Sequence, residues 1–243
     1  MTNEFIRSEL ILGEEALDKL SKARVAVFGI GGVGSYVCEA LARCGVGQLD
    51  LIDNDVVSMS NINRQLVALH STIGKDKVEV ARERLLDINP NLVIRTYKTF
   101  FLPENNEFDF SQYDYVVDAI DTVSGKLAIV ENCQKVKTPI ICSLGTGNKV
   151  NPLDLAITDI YKTSVCPLAK VMRHECKKRG IKKLKVLYSK ELPIKPKEGK
   201  ALEQTILENP NRRGVPGSVS FVPSVAGLVI ASEVIKDLVG LAK

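Results

Sequence analysis

The chain has 243 residues, 45% of them apolar and 26% charged, with a net charge of +4. That is enough for one sizeable core, and no apolar run approaches the length of a membrane span. The N-terminus, MTNEFIRSEL, lacks the apolar centre and cleavage site of a secretory signal, so a cytoplasmic protein without an integral membrane segment is expected.

Leu10, Ile11, Leu12, Leu17 and Leu20 suggest one amphipathic helix across the first 25 residues. Residues 24–30 form a short β-rich apolar run of the buried parallel-strand kind, followed by glycines, a helix over 33–43 and a second strand over 48–53. Strand, glycine turn, helix and strand make a βαβ unit. A helix over 75–88 stops before Asn89-Pro90, because the residue before proline disfavours the helical region. Strands over 92–97 and 113–118, a helix over 124–137 and a strand over 140–143 continue the alternation. A strand over 155–160 follows. The stretch 161–217 then reads as a mobile crossing segment with few apolar anchors, holding a short helix over 167–179 and a strand over 185–189. An apolar helix over 223–241 closes the chain. The expected fold is α/β, a Rossmann-like doubly wound, mostly parallel sheet with a C-terminal mixed extension. A single domain over 1–243 divides into a nucleotide-binding half (1–145) and a substrate half (146–243).

Charge is uneven. Residues 161–200 carry thirteen Lys and Arg against three Glu, a net of +10 that leaves −6 for the rest. Such a stretch meets polyanions or is simply a solvated face. The six cysteines show no C-x-x-C pair, so neither a disulfide framework nor a zinc site is expected, and most should be buried as small hydrophobes.

Gly29-Ile-Gly-Gly-Val-Gly34 stands between a strand and a helix, where backbone can approach a phosphate and the helix N-terminus offers free N–H groups. Asp53, at the end of the second strand, is placed to hold ribose hydroxyls. These features alone do not separate NAD from ATP. Arg64 and Lys77 tip the balance, since hydride transfer gains little from two cations there, whereas a leaving pyrophosphate must be neutralised as it forms. Asp121 ends the fourth strand's DAID run and is a candidate magnesium ligand. Asp118 is left open between metal ligand and helix cap.

The ordered set GIGGVG, IDND, SNINRQ, GKDKVE and DAID resembles the superfamily of ubiquitin-activating enzymes and sulfur-carrier adenylyltransferases. The resemblance implies ATP with Mg²⁺, held by Gly32, Asp53, Ser60, Asn61, Arg64, Lys77 and Asp121. Gly29, Gly31, Gly34, Asp55, Gln65 and Thr122 join them as nucleotide-binding candidates. It also implies a homodimer in which Arg7 of one subunit reaches the phosphates of the other, making Arg7, Arg64, Lys77 and Asp121 the catalytic candidates. The segments GTGNKVNP and DIYKTSVCPL are similar to the tRNA threonylcarbamoyladenosine dehydratase branch. That branch implies ATP-dependent cyclisation of the threonylcarbamoyl group on the adenosine beside the anticodon.

On this reading the basic stretch contacts tRNA phosphates through Lys170, Arg173, Lys177, Lys178, Arg179, Lys182, Lys183 and Lys185, with Arg212-Arg213 as further candidates. The dehydratase pattern has Asp near Cys166 and near Asn151, and this chain departs there. Cys166, flanked by Lys162 and Lys170, is expected to be an incidental exposed thiol rather than an acyl carrier. The rival reading is activation of a ubiquitin-like sulfur carrier ending in Gly-Gly, and a sulfur-transfer protein is kept as a candidate partner.

Overall fold

The computed structural model describes residues 4–104, 107–208 and 216–241. Seven strands form one sheet in the order β3-β2-β1-β4-β5-β7-β6. They are β1 (Arg24–Phe28), β2 (Gln48–Ile52), β3 (Val93–Tyr97), β4 (Tyr115–Asp118), β5 (Ile140–Ser143), β6 (Leu155–Asp159) and β7 (Lys185–Ser189). All neighbours run parallel except β6, which pairs antiparallel to β7 at the edge. The doubly wound arrangement is therefore as expected.

Alternation explains why both faces are covered. Val25 and Val27 of β1 point into the cluster made with α3 (Gly34–Arg43), α4 (Lys77–Ile88) and α8 (Phe221–Val239). Ala26 and Phe28 point the other way, into a cluster with α5 (Val123–Val136) and the aromatic rings of Phe101, Phe108, Phe110 and Tyr113. A strand apolar on both faces is the signature of a sheet sandwiched between helices.

The N-terminal helix is two helices, not one. Gly13, at φ 85° and ψ 160°, separates α1 (Ile6–Leu12) from α2 (Glu14–Lys22). The left-handed φ suits glycine, and the apolar periodicity alone could not locate the break. No residue of α1 is buried.

The stretch 161–217 also departs from expectation. In α6 (Pro167–Lys178), Ala169, Met172 and Cys176 are buried, and β7 is an internal strand with Val186 and Leu187 fully buried. The lysines conceal an apolar spacing of three and four residues that anchors this half. A long exposed run begins only after β7: residues 192–201 are all exposed, leading into α7 (Lys200–Glu208). Arg212 and Arg213 lie outside the described residues. No helix among the described residues is long and apolar enough to cross a membrane.

All six cysteines are unpaired, and five are buried. Burial lifts the Cys38, Cys133 and Cys142 thiols well above their ordinary value, and that of Cys176 to about 11.

Asp118 and Lys126 are both fully buried beside the crevice, with Lys126 Nζ 3.0 and 3.1 Å from the two carboxylate oxygens and 2.8 Å from Ser143 O. Removing one partner of a buried pair leaves an uncompensated charge, worth about 3–5 kcal/mol. Lys126→Ala should lose stability on that scale in urea denaturation, whereas an exposed substitution such as Lys135→Ala should change it by less than about 0.5 kcal/mol.

Candidate active site

β1, β2 and β4 end side by side, with Phe28 in register with both Ile52 and Asp118. β1 lies where the strand order reverses, so the crevice of a doubly wound sheet opens beyond these ends. The Gly29–Gly34 turn, Asp53 and the Asp118–Asp121 turn all emerge there.

The glycines divide by task. A Cβ on Gly34 would lie 1.8 Å from Gly29 O, and one on Gly29 2.7 Å from Ala119 O, so these two are demanded by backbone meeting backbone. Around Gly31 the nearest atom is Gln65 Nε2 at 3.9 Å, which leaves its face open to the crevice. Gly32 lies beneath Arg64 Cγ (3.4 Å) and Pro223 Cβ (3.3 Å), which brings the N-terminus of α8 to the site.

Asp53 fastens the turn. Its carboxylate accepts from Ile30 N (2.7 Å) and Asp55 N (2.8 Å), and burial raises its pKa against the opposing pull of Lys77. Lys77, 4% exposed, reaches Asp55 Oδ2 at 2.8 Å. Asn61 Oδ1 accepts from Ser58 N and fixes the SNINRQ turn, while Ser60 O accepts from Arg64 Nη1 at 2.8 Å. Ser35, not picked out from sequence, joins this turn to the glycine loop by donating to Gly31 O (2.6 Å) and accepting from Leu66 N (3.2 Å).

Two polar groups at the crevice have hydrogen-bonding capacity to spare. Arg64 is half-buried and, among the described residues, bonded to neutral oxygens, Ser60 O and Asn63 Oδ1; desolvation lowers its pKa. A desolvated guanidinium without a carboxylate is a site for an incoming anion. Gln65 Oε1 is buried without a hydrogen-bond partner among the described residues, and a bound ligand's donor would satisfy it.

Asp121 is exposed just beyond β4, and Thr122 takes the N-cap position of α5. Asp118, whose role the sequence left open, is buried in an ion pair with Lys126 and accepts from Ile120 N at 3.2 Å. Among the described residues no group of three or more His, Cys, Asp or Glu gathers as a metal cage.

Arg7 is not brought to this crevice. It lies on α1, lining an apolar groove with Ile11, Ala40, Leu228 and Ile235.

The basic candidates are split. Lys185 is paired with Glu233 (3.0 Å) and with Asp237, whereas Arg173 is half-buried and donates to Thr163 O (3.0 Å), a neutral acceptor that leaves its charge in place. Arg179 bonds Glu175 and pairs with Glu131. Lys170, Lys177, Lys182 and Lys183 are exposed. Lys170 lies in the first turn of α6, whereas Lys177, Lys178, Arg179, Lys182 and Lys183 surround the α6–β7 turn, at the end of the sheet opposite the crevice.

Cys166 is not exposed, at 2% accessibility. Its sulfur caps α6 by accepting from Ala169 N at 3.5 Å and packs against Gly145. An open glycine loop, a carboxylate just past β2 and two cations beside them define a nucleotide-binding protein of the Rossmann-like α/β class.

The chain belongs to the ThiF family, whose model matches residues 4–243. It is 44% identical over 243 residues to the tRNA threonylcarbamoyladenosine dehydratase of Bacillus subtilis (strain 168), covering 98% of this chain and 95% of that protein. The crystal structure of the E. coli tRNA N6-threonylcarbamoyladenosine dehydratase with AMP is similar at a TM-score of 0.87 and 32% identity, spanning 98% of this chain and 94% of that one. The same E. coli enzyme with ATP gives 0.84 and 31% over the same shares.

The two kinds of glycine separate by experiment. Gly34→Ala should lower the melting temperature sharply or prevent folding. Gly31→Ala should melt within a degree or two of the parent yet bind nucleotide about tenfold more weakly by calorimetry, because the added methyl obstructs the close approach of phosphate to backbone.

Proposed function

We infer that this chain is an ATP-dependent tRNA threonylcarbamoyladenosine dehydratase, which adenylates the threonine carboxylate of the modified adenosine. The observation that carries the reading is Arg64, a desolvated cation with no carboxylate partner among the described residues, poised above the glycine loop. The likeness to dehydratases along nearly the whole chain supplies the substrate class.

A carboxylate oxygen of the substrate attacks the α-phosphorus of ATP, and pyrophosphate leaves. Arg64 and Lys77 take up its negative charge. Lys77 exchanges Asp55 for phosphate, and Asp53 keeps the loop closed while accepting from the ribose. An internal nucleophile of the same modification then attacks the activated carbonyl, and AMP departs carrying the former carboxylate oxygen. One water is formally lost, and no enzyme nucleophile is needed, consistent with a buried Cys166. Asp121 would hold magnesium, which supplies charge neutralisation on the phosphates.

The exposed apolar residues of α1, Leu10 and Ile11, together with the groove between α1 and α8, support a homodimer. In that assembly Arg7 of one protomer serves the crevice of its partner, which fits its separation from its own. On the RNA side, Lys170, Lys177, Lys182 and Lys183 keep exposed charges along α6 and the turn after it.

Incubation of modified tRNA with the protein, magnesium and ATP, followed by mild digestion and mass spectrometry, should show threonylcarbamoyladenosine losing one water only when ATP is present. Unchanged nucleoside despite ATP binding would reject the reading in favour of a protein carrier. Reversing Lys170, Lys177, Lys182 and Lys183 to Glu should weaken tRNA binding and reduce the slope of log affinity against log salt by about 1 for each phosphate no longer neutralised. An unchanged slope removes this face from the interface.

A further inference from the structure

Asn63 stands in the SNINRQ run between two nucleotide-binding candidates, and its exposed side chain makes two bonds of opposite sense. Its Oδ1 accepts from Arg64 Nη1 at 2.9 Å, and its Nδ2 donates to Ser218 O at 2.9 Å. Ser218 lies 155 residues away in sequence, just before α8. The adjoining Gly217 is clasped by Asn148 on both sides, its N–H donating to Asn148 Oδ1 (2.6 Å) and its carbonyl accepting from Asn148 N (2.7 Å). Asn148 O also accepts from Ile194 N at 2.9 Å, so the described chain entering and leaving the exposed stretch after β7 meets at one residue.

Arg64 spends only Nη1 on Ser60 O and Asn63 Oδ1, which leaves Nε and Nη2 without a partner among the described residues. A guanidinium anchored through one nitrogen presents the remaining edge in a fixed direction, and that edge suits two phosphate oxygens. Fixing the side chain before ligand arrives removes an ordering cost from binding.

We propose that Asn63 is a positioning residue for the adenylation step. It aims Arg64 at the leaving pyrophosphate, and it makes that aim depend on the chain at Ser218 being docked. The substrate half thereby sets the grip on ATP. This inference rests on the assignment of Arg64 to the pyrophosphate.

The test compares ATP with AMP, which lacks the two phosphates that leave. In calorimetry, Asn63→Ala should bind ATP about tenfold more weakly, the loss expected of one bond to a charged group, while AMP stays within about twofold. Asn63→Asp keeps an acceptor for Arg64 but loses the donor for Ser218 and neutralises the guanidinium. It should lose ATP further than Asn63→Ala does, again sparing AMP. Both variants should exchange the amide of Gly217 faster than the parent, with an unchanged melting temperature.

Equal loss of ATP and AMP would overturn the proposal in favour of local unfolding, and unchanged ATP affinity would overturn it outright. Failure of the adenylation reading shows elsewhere, as parent protein that releases no AMP from ATP with the modified tRNA.

Discussion

The crevice exists because backbone is allowed to touch backbone at the end of β1. The carbonyl of Gly29 occupies the space that any side chain on Gly34 would fill, and the carbonyl of Ala119 stands, less closely, against Gly29. This contact draws the start of α3 down onto β1 and locks the turn after β4 beside it. Asp53 then ties the same turn from the β2 side by accepting from Ile30 N. Three strand ends converge on one point, and every candidate nucleotide ligand except Arg7 hangs from that convergence.

Much of this was legible in the sequence, for identifiable reasons. Strands such as Val25–Phe28 are apolar on both faces, and only a buried parallel sheet makes that pattern useful. The glycine loop and Asp53 directly follow β1 and β2, and Arg64 and Lys77 come next in the connection from β2 into α4, so their closeness in sequence is readable. What the sequence concealed was long-range. The break at Gly13 costs no apolar residue, so periodicity passes over it. Asp118 could not be assigned until Lys126 was seen to be buried against it, and Ser218 carries no signal of its contact with Asn63. In α6 the dense lysines masked the buried face of Ala169, Met172 and Cys176.

The basic charge illustrates the same limit. Counted along the chain, 161–200 is one block, yet folding spends part of it on internal partners. Lys185 neutralises acids on α8, and Arg179 closes onto Glu175 and Glu131. Of what remains, Lys170, Lys177, Lys182 and Lys183 follow α6 and the turn after it, while Lys162, Lys190, Lys195, Lys197 and Lys200 are exposed before α6 and after β7. A macromolecular substrate held there would extend from one end of the sheet to the other, with chemistry confined to its tip.

The cysteines have a practical corollary. Five are buried, and those whose ionisation burial disfavours form little thiolate at neutral pH. Cys44 is only partly enclosed but is shifted the same way. Cys166 is shielded by Gly145 and its helix cap. The native protein thus presents little background to maleimide reagents. A cysteine introduced within the exposed stretch after β7 would react far faster than the native thiols, giving a clean attachment point for a fluorophore beside the crevice.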